Sequence, residues 1–255
     1  MARLRLDLAY TGTHFHGWQL QPNCRTVQGC LEQALETVCN QPVRVHGAGR
    51  TDAGVHALNQ VAHCDIPSTR AGVPWQRSLN SLLPDDLAVT RAAWVQPDFH
   101  ARFSALGKVY SYTLWTNRSY VLPQRRPFVW PVGPLVLSLL QAGAAVLHGE
   151  HDFTSFQNVG TEVQSGVRNL RRIDILAGQA TNEIVCHFEA DGFLKQMVRN
   201  LMGALVALGR KDLGLSGLER ILEARDRTLA PATAPAQGLC LDKVLYPVDS
   251  SGQMS

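Results

Sequence analysis

The sequence predicts an α+β fold of two tandem ferredoxin-like units, each with the order βαββαβ and a mainly antiparallel sheet. Three observations predict it. Short apolar runs alternate as strands do, longer runs repeat at helical spacing, and the order of runs in the first half recurs in the second. The chain has 255 residues, of which 45% are hydrophobic, which is enough for two modest domains with their own cores.

The first half contains four predicted strands and two predicted helices. The run RLRLDLAY has leucine or tyrosine at every second position, as expected of a strand that is buried on one face. Thr26 is a candidate N-cap for a helix whose apolar residues recur at helical spacing. The elements are a strand at 3–10, a helix after Thr26, strands at 42–47 and 61–66, a helix at 74–83 and a strand at 87–95.

The second half repeats that order. Pro134 and Gly149 predict the start and the end of one helix, and Phe193 and Met197 begin the apolar stripe of the longest one. The elements are a strand at 108–115, a helix at 134–149, strands at 169–176 and 183–190, a helix at 193–209, a short helix at 218–224 and a strand at 238–247.

These elements divide the chain into a first domain at 1–105 and a second at 106–247. The joint lies near the segment DFHARFSALGK and has no Ser/Gly linker, which favours a close interface between the domains. The polar end at 248–255 is predicted to be a disordered tail.

Composition limits the class of protein. The N-terminal stretch lacks the apolar block of a signal peptide, and no run reaches the length of a membrane span. The six cysteines show no C-x-x-C spacing, so we expect reduced thiols in a cytoplasmic protein with no thiolate metal site. The net charge of +3 is compatible with a polyanionic partner if the arginines concentrate on one face.

The stretch GAGRTDAGVHA, from Gly47 to Ala57, carries more chemistry than a turn requires. A tight turn, with Asp52 bonded to its own backbone and Gly54 at positive φ, is the simpler interpretation of Asp-Ala-Gly alone. However, Arg50 lies two residues before Asp52, and the surrounding small residues would let a flat substrate come close. A carboxylate with an ordinary pKa of about 3.9 is already ionised and can act as a nucleophile without a base. The stretch is therefore a candidate catalytic site.

Other chemistries fit less well. Asp52 occupies the third glycine position of a dinucleotide fingerprint, and no phosphate-loop or serine-nucleophile motif occurs. His14 and His16 resemble the start of a zinc amidohydrolase site, but that reading needs a (βα)₈ barrel, which the predicted order excludes.

Six motifs resemble, in order, those of the tRNA pseudouridine synthase A family. They are YTGTHFHGWQLQ, GAGRTDAGVHA, DFHARFSALGKVYSY, EHDFTSF, MVRNLMGAL and RTLAPATAPAQGLCLDKVLYP. This resemblance covers nearly the whole chain. It implies a homodimeric isomerase, without metal or organic cofactor, that converts uridine to pseudouridine at positions 38, 39 and 40 in the anticodon stem-loop of tRNA.

The resemblance also implies roles for individual residues in an active-site cleft between the two domains. Asp52 would be the nucleophile, attacking the sugar C1′, adding to uracil C6 or assisting elimination to a glycal. Tyr110 would stack on the flipped uracil, Arg199 would pair with Asp52, and Leu241 would pack beside the base. Arg50 would fill the gap left by the flipped nucleotide or hold its phosphate.

Two departures and one alternative accompany this assignment. Lys195 and Gln196 stand where the family pattern is expected to be richer in arginine, and the early loop QLQPNCR is less basic than expected, which puts single phosphate contacts in doubt. Candidate tRNA contacts are Arg118, Arg125, Arg126, Arg168, Arg171 and Arg172. A non-catalytic RNA-binding module is the alternative from another class, although the chain lacks an aromatic strand of the RGFGFV kind.

Overall fold

The computed structural model describes residues 1–158, 160 and 164–247. The fold is mixed α+β with mostly antiparallel sheet, which confirms the predicted class at that level. The chain forms two compact units: unit 1 contains Met1–Leu106 and the segment that begins at Cys240, and unit 2 contains Gly107–Leu239. The predicted tail at 248–255 lies outside the described residues.

Unit 1 is a sheet with two helices. Its elements are β1 (Ala2–Tyr10), α1 (Val27–Cys39), β2 (His46–Gly47), β3 (His56–Ile66), α2 (Trp75–Asn80), β4 (Leu87–Val95) and β10 (Leu239–Leu245). The strand order is β4-β1-β3-β10, with β2 also paired to β3. Strand β1 runs antiparallel to β3 and β4, whereas β10 runs parallel to β3.

Local sequence signals explain where several of these elements begin and end. Helix α1 begins after Thr26, whose side chain accepts a hydrogen bond from the Gly29 amide at 3.2 Å, as predicted. Helix α2 ends at Asn80, earlier than predicted, because the Asn80 side-chain amide bonds the backbone N–H and C=O of Val89 and draws the chain toward β4. The strand predicted at 42–47 is wrong for residues 42–45, since only His46 and Gly47 pair with β3.

Strand β1 is buried on both faces, so the expectation of a strand buried on one face is wrong. Leu4, Leu6 and Leu8 are buried on the predicted face. Arg5 and Asp7 are also buried and form an ion pair at 2.8 Å. The Arg5 guanidinium also lies over two aromatic rings. It is 5.6 Å from the centroid of the Phe99 ring and 4.8 Å from that of the Tyr246 ring. Pairing and stacking compensate for the burial of the charge.

Unit 2 contains four antiparallel strands, one short parallel strand and three helices. Its elements are β5 (Gly107–Trp115), β6 (Trp130–Pro131), α3 (Leu137–Leu147), β7 (Gly149–Asp152), β8 (Val167–Ala177), β9 (Glu183–Ala190), α4 (Met197–Gly209) and α5 (Leu215–Ala224). The order is β5-β9-β8-β7, and the short β6 runs parallel to β5.

Two helix boundaries in unit 2 differ from the prediction. Helix α3 begins at Leu137 instead of Pro134, and Gly149 (φ 100°) starts β7 instead of ending the helix. Helix α4 begins at Met197, because Gln196 adopts a left-handed conformation with φ 62° that a helix cannot continue through. Phe193 therefore lies before the helix, and its predicted place on the helical stripe is wrong.

The last strand belongs to unit 1, whereas the predicted second domain, 106–247, included it. The parallel pairing of Cys240 with His56 and of Leu241 with Ala57 holds it there. The tandem ferredoxin-like arrangement itself stays a prediction. Among the described residues, no helix combines the length and the apolar character that crossing a membrane requires.

Candidate active site

The loop between β2 and β3 carries the candidate nucleophile. Arg50 is exposed, Asp52 is partly exposed, and Thr51 between them is buried, with 6% of its surface accessible. Gly54 has φ 81°, so the turn expected from Asp-Ala-Gly is present. The loop thus presents a carboxylate and a guanidinium on either side of an anchored residue.

Backbone hydrogen bonds fix this loop to the segment that follows β1. The Trp18 amide donates to the Thr51 carbonyl at 3.0 Å, and the Gly54 amide donates to the Phe15 carbonyl at 3.3 Å. Within the loop, the Val55 amide donates to the Asp52 carbonyl at 3.1 Å. Asp52 therefore lies on a peptide segment that is bonded before and after it.

Two glycines of the neighbouring segment permit this approach. A Cβ on Gly12 would lie 2.1 Å from the Val55 carbonyl oxygen. A Cβ on Gly17, which has φ 84°, would lie 2.6 Å from the Thr51 carbonyl oxygen. Both distances are shorter than real Cβ contacts, so any side chain at these positions would push the loop away.

Buried polar side chains also hold the loop that carries Asp52 in place. The Tyr10 hydroxyl and Thr51 Oγ1 are 2.9 Å apart, and Gln60 Nε2 donates to the Gly49 carbonyl at 2.9 Å. Burial raises the pKa of Tyr10 to about 12, so its hydroxyl keeps its proton. Sequence reasoning missed Thr51 and Gln60, although a glutamine directly before the apolar run at 61–66 was a usable signal.

Leu241 lies next to the end of this loop. It is fully buried and pairs with Ala57 in the parallel ladder, immediately beside the Cys240–His56 pair. The His56 ring is anchored in turn, because its Nδ1 accepts the Gly12 amide at 3.0 Å. The structure thus brings Leu241, Arg50 and Asp52 into one region of unit 1.

Tyr110 lies on β5 of unit 2, opposite Phe188 of β9. It is buried, with 8% of its surface accessible. The Phe193 ring meets the Tyr110 ring edge to face, with centroids 5.1 Å apart. Phe193 therefore positions Tyr110, a role that its apparent place on a helical stripe concealed.

Arg199 lies in the first turn of α4 and is held by the segment at 232–234. Its Nε donates to the Ala234 carbonyl at 2.8 Å, and the Ala234 amide donates back to the Arg199 carbonyl at 3.1 Å. The backbone approach is close, since a Cβ on Gly203 would lie 2.2 Å from the Ala232 carbonyl oxygen. The guanidinium is therefore oriented by the segment before the last strand.

Asn200, the neighbour of Arg199, is fully buried and forms a hydrogen-bond network. Its Nδ2 donates to the Phe156 carbonyl at 2.8 Å. Its Oδ1 accepts from Arg227 Nη2 at 3.1 Å and from Thr233 Oγ1 at 2.7 Å. The start of α4 thus depends on one buried amide with three partners, which the sequence analysis did not identify.

Comparisons with known proteins agree with this arrangement of motifs. The model of a family described as tRNA pseudouridine synthase matches residues 8–104 and 144–247. The chain belongs to this family.

Named relatives match almost end to end. The protein named tRNA pseudouridine synthase A from Solidesulfovibrio magneticus is 59% identical, over 96% of this chain and 92% of its own length. Its namesake from Maridesulfovibrio salexigens is 53% identical over 96% and 91%, and one from Coxiella burnetii is 41% identical over 97% and 94%. The family predicted from the motifs is confirmed.

Family membership makes the chain an isomerase that acts on uridine in tRNA, which confirms the predicted enzyme class. A non-catalytic RNA-binding module is therefore not the better description. His14 and His16 are both exposed, on either side of the buried Phe15. Over the described residues, no three His, Cys, Asp or Glu side chains converge as a metal site would require.

Three of the six arginines predicted as tRNA contacts are engaged within unit 2. Arg125 forms an ion pair with the buried Glu183 at 2.5 Å, and Arg172 forms one with Asp174. The Arg168 guanidinium donates to the carbonyls of Ser165 and Val167. Their part in binding tRNA stays a prediction, as do the roles of the other three.

Proposed function

We propose that this chain converts uridine to pseudouridine at positions 38, 39 and 40 in the anticodon stem-loop of tRNA, with Asp52 as the nucleophile. The observation that carries the proposal is the anchoring of Asp52. Before it, the carbonyl of the buried Thr51 accepts the Trp18 amide, and after it, the Gly54 amide donates to the Phe15 carbonyl, while Asp52 itself stays partly exposed. A carboxylate held in this way can meet a substrate without reorganising.

The reaction is an internal transfer of the base. The bond between N1 of uracil and C1′ of ribose breaks, the base turns, and a bond forms between C5 and C1′. The C5 proton is lost and N1 gains a proton, so no oxidant or co-reactant is needed. Asp52 acts as nucleophile at C1′ or at C6, or assists elimination to a glycal, and the three routes stay open.

The remaining residues are proposed to bind the flipped nucleotide. Tyr110, fixed by Phe193, stacks on uracil, and Leu241 packs beside it. Arg199, oriented by Ala234, pairs with the Asp52 carboxylate and holds its orientation. The exposed Arg50 fills the gap in the RNA or holds a phosphate. Stacking is worth about 1–3 kcal/mol per base, which offsets much of the cost of flipping.

The family resemblance also supports two further parts of the proposal. The protein acts as a homodimer, and it works in the cytoplasm without a metal or an organic cofactor. Light scattering of the purified protein at micromolar concentration tests the first part, and a monomer alone would contradict it.

Asp52→Asn tests the assignment of the nucleophile. Since an amide cannot attack the nucleoside, we expect the single-turnover rate of pseudouridine formation to fall by about 10³-fold or more. Affinity for tRNA should stay within about threefold, because Asn is isosteric with Asp. Tritium release from tRNA labelled at uridine C5, with mapping of pseudouridine in the product, measures the rate.

Asp85→Asn is the matched control, since Asp85 is an exposed carboxylate elsewhere in unit 1. It should react at the wild-type rate. Substantial turnover by the Asp52→Asn protein would remove Asp52 from the mechanism. Modification only outside positions 38 to 40 would instead keep the isomerase and change its target.

A further inference from the structure

Phe103 is the most exposed aromatic side chain among the described residues, with 75% of its surface accessible. It belongs to the turn that follows Phe99 in unit 1, and Phe99 is buried. A large apolar ring left in water contributes little to folding, so its presentation calls for an explanation.

The turn that presents Phe103 is held rigidly. His100 Nδ1 accepts the amides of Arg102 and Phe103 at 3.1 and 3.3 Å. The Ser104 amide donates to the His100 carbonyl at 2.9 Å, and Ser104 Oγ accepts the His100 amide at the same distance. The ring is therefore not a mobile side chain on a loose loop.

The base of the turn is anchored to the core of unit 1. The Ala101 amide donates to His63 Nδ1 at 3.1 Å, and the Ala101 carbonyl accepts the Tyr246 hydroxyl at 2.6 Å. The His63 and His100 rings meet with centroids 4.6 Å apart. These contacts thus hold Phe103 at the surface of unit 1.

Two groups beside the Phe103 ring suit a nucleotide. The His100 ring lies 4.3 Å away, and the Arg102 guanidinium lies 5.6 Å from the ring centroid. Arg102 is exposed and forms no ion pair within the part of the chain that the structure describes. An aromatic face for a base and a cation for its phosphate are the two components of a single-stranded nucleic-acid site.

We infer that Phe103 is a stacking platform for an unpaired base of tRNA other than the target uridine, with Arg102 binding an adjacent phosphate. The inference rests on the proposed function, because it takes the tRNA substrate as the occupant. The exposed cation beside the ring favours a polyanion over a second copy of the chain.

Phe103→Ala tests the platform. We expect its dissociation constant for unmodified tRNA to rise about 5- to 150-fold at fixed salt, as the loss of one stacked base predicts. The single-turnover rate at saturating tRNA should stay within about threefold of wild type, because the reacting nucleotide is bound elsewhere. Phe103→Trp, which keeps a stacking face, should bind as tightly as wild type or more tightly.

Arg102→Ala separates the phosphate contact from the stacking contact. It should weaken binding and lower the slope of log affinity against log salt by about 0.7 to 0.9, whereas Phe103→Ala should leave the slope unchanged. Leu82→Ala is the control for loss of an exposed apolar side chain in unit 1, since Leu82 is 47% exposed, and it should bind normally.

Three results would overturn the inference. They are wild-type affinity in Phe103→Ala, equal weakening in Leu82→Ala, and conversion of a dimer to a monomer by Phe103→Ala in sedimentation equilibrium. The last would assign the ring to contact between copies of the chain. The proposed function fails separately, through catalysis by Asp52→Asn at normal affinity.

Discussion

The loop that carries Asp52 and the helix start that carries Arg199 are positioned by different means. The loop depends mainly on backbone bonds to the segment 12–18 and on glycines that permit close approach. The start of α4 depends on the side chain of Asn200, which bonds three partners. A backbone-held loop is sensitive to any added Cβ, whereas a side-chain-held helix is sensitive to the loss of one amide.

The difference suits what each region is proposed to do. A nucleophile must meet a carbon atom at a defined distance, and a misplacement of about 1 Å can cost about 100-fold in rate. An arginine that orients a carboxylate can tolerate small shifts through its long side chain. The stiffer support therefore lies under Asp52.

Gly17→Ala should displace the loop that carries Asp52, and we expect it to lower the free energy of unfolding more than the other variants below. Alanine at φ 84° is strained, and its Cβ would lie 2.6 Å from the Thr51 carbonyl oxygen. We expect a loss of about 2–4 kcal/mol in the free energy of unfolding and a rate at least about tenfold lower. Urea unfolding and single-turnover kinetics on the same preparation measure both.

Gly72→Ala is the matched control, because nothing lies within 4 Å of a Cβ placed there. It should leave stability within about 0.5 kcal/mol of wild type or raise it slightly. If Gly17→Ala behaved like Gly72→Ala, close backbone approach would not be what holds the Asp52 loop.

Asn200→Leu should destabilise the start of α4. Leucine, of similar size, cannot bond the buried Phe156 carbonyl or the half-buried side chains of Arg227 and Thr233, so these groups lose this partner. We expect a loss of about 2–3 kcal/mol in the free energy of unfolding, since leaving buried polar groups without bonds is costly. Chemical denaturation measures it, and tRNA binding at a temperature where the variant is folded reports on Arg199.

Asn182→Leu is the control for this change, because within the described part of the chain the Asn182 side chain bonds the exposed Tyr120 hydroxyl alone, at 3.2 Å. Its effect should stay within about 0.5 kcal/mol. Equal losses in the two variants would show that the network around Asn200 is no more important than a surface bond.

The pH dependence of stability sharpens the comparison, because His63 is a side-chain support inside unit 1. Burial, with the nearby His100, Arg3 and His46, lowers the pKa of His63 from 6.5 to about 4, while Asp65 opposes the shift. The unfolded chain therefore takes up the proton first. Stability contributed by neutral His63 is complete above about pH 6.5 and is lost as the pH falls toward about 4.

We expect that loss to be about 1–2 kcal/mol, allowing for partial screening by solvent. Urea midpoints measured between pH 7 and pH 4 test it. His63→Phe, which cannot titrate, should be less stable at pH 7 but should lose less stability over the same interval. A steeper fall in His63→Phe than in wild type would contradict the assignment.

Regular elements were the predictable part of this fold. Strand β4 and the Thr26 cap of α1 follow from alternation and local capping chemistry. The start of α4 did not follow, because the left-handed backbone of Gln196 is imposed by surrounding structure and not by its side chain. Residues 42–45 have strand composition, but no strand among the described residues pairs with them.

The sequence nominated candidate site residues, whose roles stay predictions, but it did not identify the residues that support them. Asp52 and Arg50 were identified because their residue types are unusual within a glycine-rich turn. Thr51, Gln60 and Asn200 were missed, since their importance comes from partners that are distant in sequence. Periodicity reports which face of an element is apolar, and it carries no information on which buried polar group meets which carbonyl.

Tyr10→Phe should have the smallest effect and separates stability from catalysis. It removes a hydroxyl 2.9 Å from Thr51 Oγ1, while Gln60 still bonds Gly49. We expect a cost of about 1 kcal/mol and a rate about two- to fivefold lower, because Thr51 adjoins the proposed nucleophile.

Tyr112→Phe is the counterpart in unit 2, where the Tyr112 hydroxyl donates to the Pro235 carbonyl at 2.6 Å. It should cost a similar free energy of unfolding, yet leave the rate at saturating tRNA unchanged. The rates of the two variants should differ because Pro235 adjoins the segment that orients Arg199. The long side chain of Arg199 can absorb a small shift of that segment. A rate lowered by Tyr112→Phe as much as by Tyr10→Phe would show that both regions demand the same precision, and the distinction between a stiff and a tolerant support would fail.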